Sequence, residues 1–364
     1  MRKIKILTIT TSGLKKREGI STVILDYYSY FDRNKFQLDL IASGEYSKKL
    51  IAEFKNIGVN IHYFSSRKAS VIKYIKALIG LLKEEKYDAI YIHGSSSIMC
   101  IELIIAKICG CKIRVVHSHN TTCDHKKMDK LLRPLFYRSY TKALACGTDA
   151  GKWLYGNRPF EIVKNGRNVN AYKYNEEKRI EMRRKLGISD ETIAIGHVGN
   201  FNKQKNQIFL IDLMKKFFKK NISIKMYLMG DGETKEEIMA KAKKENVDSN
   251  ICFTGSISNV PDMLQAMDVM LLPSLHEGLP LVVVEWQMAG LPCIVSDTVT
   301  KECAYTDLVY FLPLNDQNAW KEKIVSLKRY DRNNISKSAI NKAKEVGFDL
   351  ETNVIQLQKY FSQK

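Results

Sequence analysis

Val269-Met-Leu-Leu-Pro273-Ser-Leu-His-Glu277-Gly-Leu-Pro280-Leu-Val-Val-Val-Glu285-Trp-Gln-Met-Ala-Gly290-Leu-Pro-Cys293-Ile-Val-Ser296 is the stretch that decides the fold. Residues 269–273 are a short apolar run bounded by turn residues, the pattern of a strand buried on both faces. Pro-Ser and Glu-Gly-Leu-Pro then break the chain, and Pro280 has the fixed φ that suits a first helical position. The spacing predicts a helix over 281–289, stopped by Gly290. Residues 293–296 read as a second strand. Strand, helix and strand in so short a span make a crossover unit, whose two strands run parallel. The class is α/β.

The alternation continues on both sides of this stretch. Before it come strands over 193–198, 224–229 and 251–254, with helices over 206–219, 234–245 and 262–266. The first half repeats the scheme, with strands over 4–10, 36–42, 59–64, 89–93 and 113–117. Its helices fall over 20–31, with Ser21 or Thr22 as cap, over 69–85, and over 96–109. Helix 69–85 carries Val71, Ile75, Leu78 and Leu82 on one stripe. Strands alternating with helices imply two doubly wound, Rossmann-like domains, and a polar stretch over 165–177 separates them. Open parallel sheets bind ligands at the carboxyl ends of their strands. Two such domains facing each other are expected to hold a ligand in the cleft.

The composition agrees. The 364 residues are 45% hydrophobic and 27% charged, which excludes a disordered chain, a collagen-like fibre and a small disulfide scaffold. The longest weakly polar run, residues 98–109, contains Glu102 and Lys107 and is too short for a bilayer span. Lys5 interrupts the first apolar run, so no signal peptide is expected and a cytoplasmic chain is. Eight cysteines without a CxxC pair read as reduced thiols. A zinc site from Cys109, Cys111, His117 and His119 matches no standard spacing.

Charge is unevenly placed. The net charge is +19; residues 1–170 hold 30 Lys/Arg against 14 Asp/Glu, and residues 171–364 hold 28 against 25. A basic first half points to an anionic partner, such as nucleic acid, a membrane surface or a phosphorylated substrate, or else to a merely solvated lysine-rich surface.

The 269–296 block also carries chemistry. Amides of Gly278, Leu279 and Leu281 at a helix start can cradle an anion. Glu277 precedes the helix, and Glu285 is placed about two turns inside it, where a carboxylate can accept from vicinal hydroxyls. Two carboxylates on an ordinary helix are the bland alternative. The order strand, Pro-Ser, Glu-Gly, Gly-x-Pro makes the block specific.

With Glu18-Gly19-Ile-Ser-Thr, Val115-Val-His-Ser-His119-Asn-Thr, Lys164-Asn-Gly166, Gly196-His-Val-Gly-Asn-Phe-Asn-Lys-Gln-Lys205-Asn, Leu228-Met-Gly-Asp-Gly-Glu233 and Phe253-Thr-Gly255, this block resembles the family 4 glycosyltransferases of the GT-B fold. The likeness is to bacterial enzymes of capsular and exopolysaccharide synthesis and spans nearly the full chain. It implies a Rossmann-like domain over 1–170 on the acceptor side, a nucleotide-sugar-binding domain over 171–345, and a segment 346–364 whose helix, about 349–362, crosses back to the first domain. It implies transfer of a sugar from a nucleotide donor, a UDP-sugar, with retention, to a glycan or lipid-linked acceptor.

Residue by residue, the resemblance gives Glu285 the ribose, Glu277 the sugar hydroxyls, and the amides of Gly278, Leu279 and Leu281 the phosphates. Lys205 is the cation for the diphosphate, Ile257 lies near the base, and Gly19 lets a loop approach the phosphates. His119 matches the histidine that approaches the reacting sugar; His117 and His93 are weaker candidates and read first as strand-end histidines. Asn200 stands where the family usually has Arg, so either Lys203 compensates or the helix amides carry more of the diphosphate charge. Gly230-Asp-Gly reads as a tight turn.

The basic first half then fits a lipid headgroup layer at the inner membrane face. Lys126, Lys127, Lys130 and Arg133 lie among aromatics in a segment suited to either that surface or an acceptor. No cofactor is expected. Since no Asp-x-Asp pair exists, neither is a catalytic metal. Rival readings are a UDP-sugar epimerase or hydrolase and a non-catalytic nucleotide- or nucleic-acid-binding protein. No nucleic-acid recognition motif and no Gly-x-Gly-x-x-Gly dinucleotide fingerprint is present.

Overall fold

The computed structural model describes residues 2–11, 13–14, 19–218, 223–327 and 331–362. Two units emerge: the chain up to Arg167 together with the segment from Asp349 onward, and Asn168–Phe348.

Unit 1 is a seven-stranded parallel sheet of β1 (Ile4–Thr10), β2 (Phe36–Ser43), β3 (Asn60–Phe64), β4 (Ala89–His93), β5 (Ile113–Ser118), β6 (Lys142–Ala145) and β7 (Glu161–Ile162). The order is β3-β2-β1-β4-β5-β6-β7, so the chain reverses its direction of travel between β1 and β4. Every residue of β4 is buried, because helices cover both faces. On one face Val23, Tyr27 and Phe31 meet Val354, Leu357 and Phe361 of the last helix, Leu350–Ser362. On the other lie Tyr74, Leu78, Leu103, Phe136 and Leu154.

Local details differ from expectation for identifiable reasons. The first helix is Gly19–Ser29, and Ser21 is inside it rather than capping it; its buried hydroxyl donates to Gly13 O at 3.5 Å. The next predicted helix is Val71–Glu85, capped by Ser70 Oγ, and Tyr74 rather than Val71 leads its buried stripe. Helix 96–109 is a 3₁₀ turn, Ser97–Met99, running into Cys100–Ile108.

The last helix is held by the Lys164-Asn-Gly motif. Tyr27 Oη and Asn353 Nδ2 both donate to Lys164 O, at 2.5 and 2.9 Å. A Cβ on Gly166 would sit 2.7 Å from Leu350 Cα. Glycine is required there by close approach alone.

Unit 2 is a six-stranded parallel sheet of β8 (Ile193–Val198), β9 (Ile224–Met229), β10 (Ile251–Gly255), β11 (Val269–Leu272), β12 (Cys293–Ser296) and β13 (Val309–Leu312). The order β10-β9-β8-β11-β12-β13 reverses between β8 and β11. The deciding stretch folds as β11, helix Leu281–Met288 and β12, with both strands and Trp286 fully buried. Because the helix begins at Leu281, Glu285 stands little more than one turn inside it, not two. Helix Glu176–Lys185 was not anticipated because it has no apolar stripe; Asn175 Oδ1 caps it, and Arg179 and Arg183 tie it to Asp268 at 2.6 and 3.0 Å.

Candidate active site

In unit 2 the switch point between β8 and β11 brings together the two loops that leave these strands. Leu275 N donates to Gln204 O at 2.8 Å, Gln204 Nε2 returns a bond to His276 O at 2.8 Å, and Asn206 Nδ2 reaches Pro273 O at 3.1 Å. Asn202 Oδ1 accepts from Lys205 N at 2.9 Å, which fixes the lysine's backbone. The side chains then meet: Lys205 Nζ lies 2.5 Å from Glu277 Oε1, with the two side chains 17% and 11% exposed. Two residues singled out separately in the sequence are thus one ion pair. Gln204, Asn206 and Asn202 belong to the quoted motif but were given no role there; Asn206 has φ 54, a conformation that few non-glycine residues hold and that the sequence does not announce.

Beneath these loops lies Gly230-Asp-Gly232, more than a turn. Gly230 has φ 150, and a Cβ there would fall 1.9 Å from Gly199 O; one on Gly232 would fall 2.3 Å from Phe201 O. Phe201 N donates to Asp231 O at 2.9 Å, so the turn supports the loop that carries Lys205. His197 adds a second support. Its Nδ1 donates to Leu271 O at 2.9 Å, while Gln207 Nε2 donates to His197 Nε2 at 3.2 Å and to Asn200 O at 2.8 Å. Burial pulls the His197 pKa down to about 4, so the ring stays neutral.

Glu285 is 7% exposed on helix Leu281–Met288, whose start has no side-chain cap. The amides of Gly278, Leu279 and Leu281 lead into that start, where the helix dipole favours an anion. Gly278 is exposed, with open space around its Cα. Asn200 and Lys203 are exposed on the β8 loop, and Ile257, beyond β10, is partly buried against the core.

In unit 1 the corresponding switch lies between β1 and β4. Thr11 N donates to His93 O at 3.0 Å. Gly19 opens its helix, but most of the Glu18-Gly19 loop lies outside the described residues. Three imidazoles gather at the carboxyl ends of β4 and β5: His93 ends β4, His117 is within β5 and His119 follows it. His93 Nδ1 is 2.8 Å from His119 Nε2, and the His117 ring stands 4.3 Å from that of His119. Nitrogens of all three lie within 4.8 Å of one another, near enough to share a metal ion. However, His117 has both nitrogens engaged, by Tyr91 Oη at 2.7 Å and Val163 O at 3.1 Å. Cys109 and Cys111 belong to no such cluster among the described residues.

Residues 126–137 form a helix, Lys126–Tyr137. Lys126, Lys127 and Lys130 are exposed on it beside exposed Met128, Leu131 and Leu135. Arg133 instead turns inward, to Asp129 Oδ2 and Trp153 O, both at 2.9 Å.

Residues 178–346 match the family model described as Glycosyl transferases group 1, and residues 17–167 match that of Glycosyltransferase Family 4. The chain is 31% identical over 328 residues to EpsF of Bacillus subtilis (strain 168), named as a glycosyltransferase, spanning 86% of this chain and 85% of that one. It is 26% identical over 344 residues, 89% and 87% of the two chains, to the Escherichia coli UDP-Gal:alpha-D-GlcNAc-diphosphoundecaprenol alpha-1,3-galactosyltransferase. In fold it is similar to Anabaena Alr3699/HepE, solved in complex with UDP, with a TM-score of 0.78 at 18% identity over 99% and 100% of the chains.

Proposed function

This chain belongs to the family 4-like glycosyltransferases of the GT-B fold, and from that premise we propose that it moves a hexose from a UDP-sugar to a lipid-linked saccharide with retention. Nucleotide-sugar-dependent transfer in exopolysaccharide or capsule synthesis follows from the family. UDP and a diphosphate-lipid acceptor are supported by the name of the Escherichia coli relative, and UDP also by the Anabaena complex.

The Lys205–Glu277 pair carries the reading. A partly buried lysine held against a carboxylate at a switch point is a cation already oriented for a diphosphate. As the bond from the anomeric carbon to the β-phosphate oxygen breaks, charge grows on that oxygen. Lys205 and the amides of Gly278, Leu279 and Leu281 meet it, the preorganised stabilisation that usually dominates such steps. The acceptor oxygen bonds to the same face of the carbon and its proton passes to the leaving phosphate. Glu277 holds sugar hydroxyls and Glu285 the ribose. His119 contacts an oxygen of the transferred sugar. Lys126, Lys127 and Lys130, with Met128, Leu131 and Leu135, hold the protein to the anionic inner leaflet, on the cytoplasmic side.

A thermal-shift screen across UDP-, GDP- and dTDP-sugars tests the donor, with stabilisation expected from UDP-sugars. Glu285→Ala should weaken UDP binding by about 1.5–3 kcal/mol for each charge-assisted bond lost, and Glu277→Ala should lower turnover more than affinity. Parent-like UDP binding by both variants would overturn the assignment. The anomeric configuration of the product, read by NMR, decides retention. UDP release that needs no acceptor would favour a hydrolase.

A further inference from the structure

Two ring nitrogens in unit 1 have no partner among the described residues: Nε2 of His93 and Nδ1 of His119, both shut from solvent. The other nitrogen of each ring faces its neighbour, His93 Nδ1 at 2.8 Å from His119 Nε2. At that distance one nitrogen carries the hydrogen and the other accepts it. Burial holds both rings well below the usual histidine pKa, so each is neutral and has one N–H.

Only two arrangements meet these conditions. If His119 donates through Nε2, His93 must carry its own hydrogen on Nε2. That N–H then points into the interior from a residue 2% exposed, with nothing to accept it. An orphaned buried N–H is rare because it forfeits its hydrogen bond to water. If His93 donates through Nδ1, the unpaired N–H moves to Nδ1 of His119. Nδ1 of His119 is equally shut from water, but the residue as a whole is partly exposed and follows the end of β5, on the side where parallel sheets bind ligands, whereas His93 is enclosed on its strand. A ligand oxygen can complete the bond there.

We infer that His93 is a positioning residue. It donates from Nδ1 to His119 Nε2, fixes the tautomer of His119, and leaves the His119 Nδ1–H as a donor to an oxygen of the transferred sugar. This rests on the reading of His119 as the histidine that meets the sugar. His117 completes the support without competing. Tyr91 Oη donates to its Nδ1 and its Nε2 donates to Val163 O, so its ring is locked and packs beside that of His119. The same saturation leaves His117 nothing to offer a metal.

The tautomer can be measured directly in ¹⁵N-histidine-labelled protein by long-range proton–nitrogen correlation. The parent should show His119 with the hydrogen on Nδ1, and His93→Phe should shift it toward Nε2. In kinetics His93→Phe should lose about a hundredfold in kcat, as a misaligned group does, while KM for the donor changes little. His93→Asn, which restores an N–H near the position of Nδ1, should recover most of the loss; a purely structural role would not separate the two variants this way. His119 with its hydrogen on Nε2 in the parent would overturn the inference, as would His93→Phe with parental kcat. Parental turnover by His119→Ala would overturn the functional reading of His119 instead, and the tautomer in the parent would still decide the pairing.

Discussion

Lys205 Nζ and Glu277 Oε1 stand 2.5 Å apart, joining residues 72 positions apart in the chain across the loops that follow β8 and β11. Each neutralises the other before any ligand arrives. A diphosphate must therefore draw the lysine partly away from its carboxylate, and a sugar hydroxyl can take up the acceptor so released. The pair is a unit, and its loss has to be measured as one.

Lys205→Ala should lower kcat by about two orders of magnitude or more, the cost of removing one preorganised electrostatic donor. Part of that loss is the stranding of Glu277. The double variant Lys205→Met/Glu277→Gln should consequently lose less than the sum of the two single changes. A double-mutant cycle on kcat/KM checks this, and strictly additive losses would show that the two residues act independently.

Activity should survive exhaustive chelation. Asp231, the nearest approach to a metal-binding acidic pair, is turned into a structural loop and lies 3.7 Å from Lys235 Nζ. Assay after EDTA treatment, with metal content measured alongside, is the direct check. Activity lost to EDTA and regained only with Mg²⁺ or Mn²⁺ would assign the leaving-group charge to a metal instead of Lys205.

Vesicle binding should depend on both charge and apolar contact. Leu131 is 72% exposed, with Met128 and Leu135 on the same helix face, and three exposed lysines flank them. Sedimentation with anionic liposomes should decline as salt rises and weaken when Lys126, Lys127 and Lys130 become Glu, each worth about 1 kcal/mol near such a surface. Leu131→Ser should weaken it further with charge unchanged. Indifference to both sets of changes would remove the membrane from the functional picture.

Stability should fall as pH drops from about 6.5 toward 4. Burial pulls His117 and His197 down to about 4, and holds His93 and His119 well below the usual value too. The unfolded chain protonates these rings below about 6.5, whereas the folded chain does not until lower pH. The unfolded state thus gains protons across this window, and each ring adds a slope of up to about 1.4 kcal/mol per pH unit. Glu102, whose carboxyl burial pushes up, works in the opposite direction, one group against four. Urea midpoints at pH 8, 7, 6 and 5 measure the balance; equal midpoints from 7 to 5 would contradict it.

Local order in the sequence was enough for the α/β class, the central strands and the 269–296 unit. Short apolar runs and glycine or proline stops are properties of neighbouring residues. Helix Glu176–Lys185 escaped because it has no apolar stripe to mark it, although its Asn175 cap, acidic first turn and basic last turn are local signals; what only the fold supplies is its tie to Asp268. The terminal helix was placed only through family likeness; besides its apolar packing it is fixed by a backbone oxygen, Lys164 O, that no side-chain pattern announces. In the same way the sequence identified Lys205, Glu277, His93 and His119 one at a time. Only the tertiary structure paired them, because strand order decides which loop ends become neighbours, and burial decides which polar atoms are left without water.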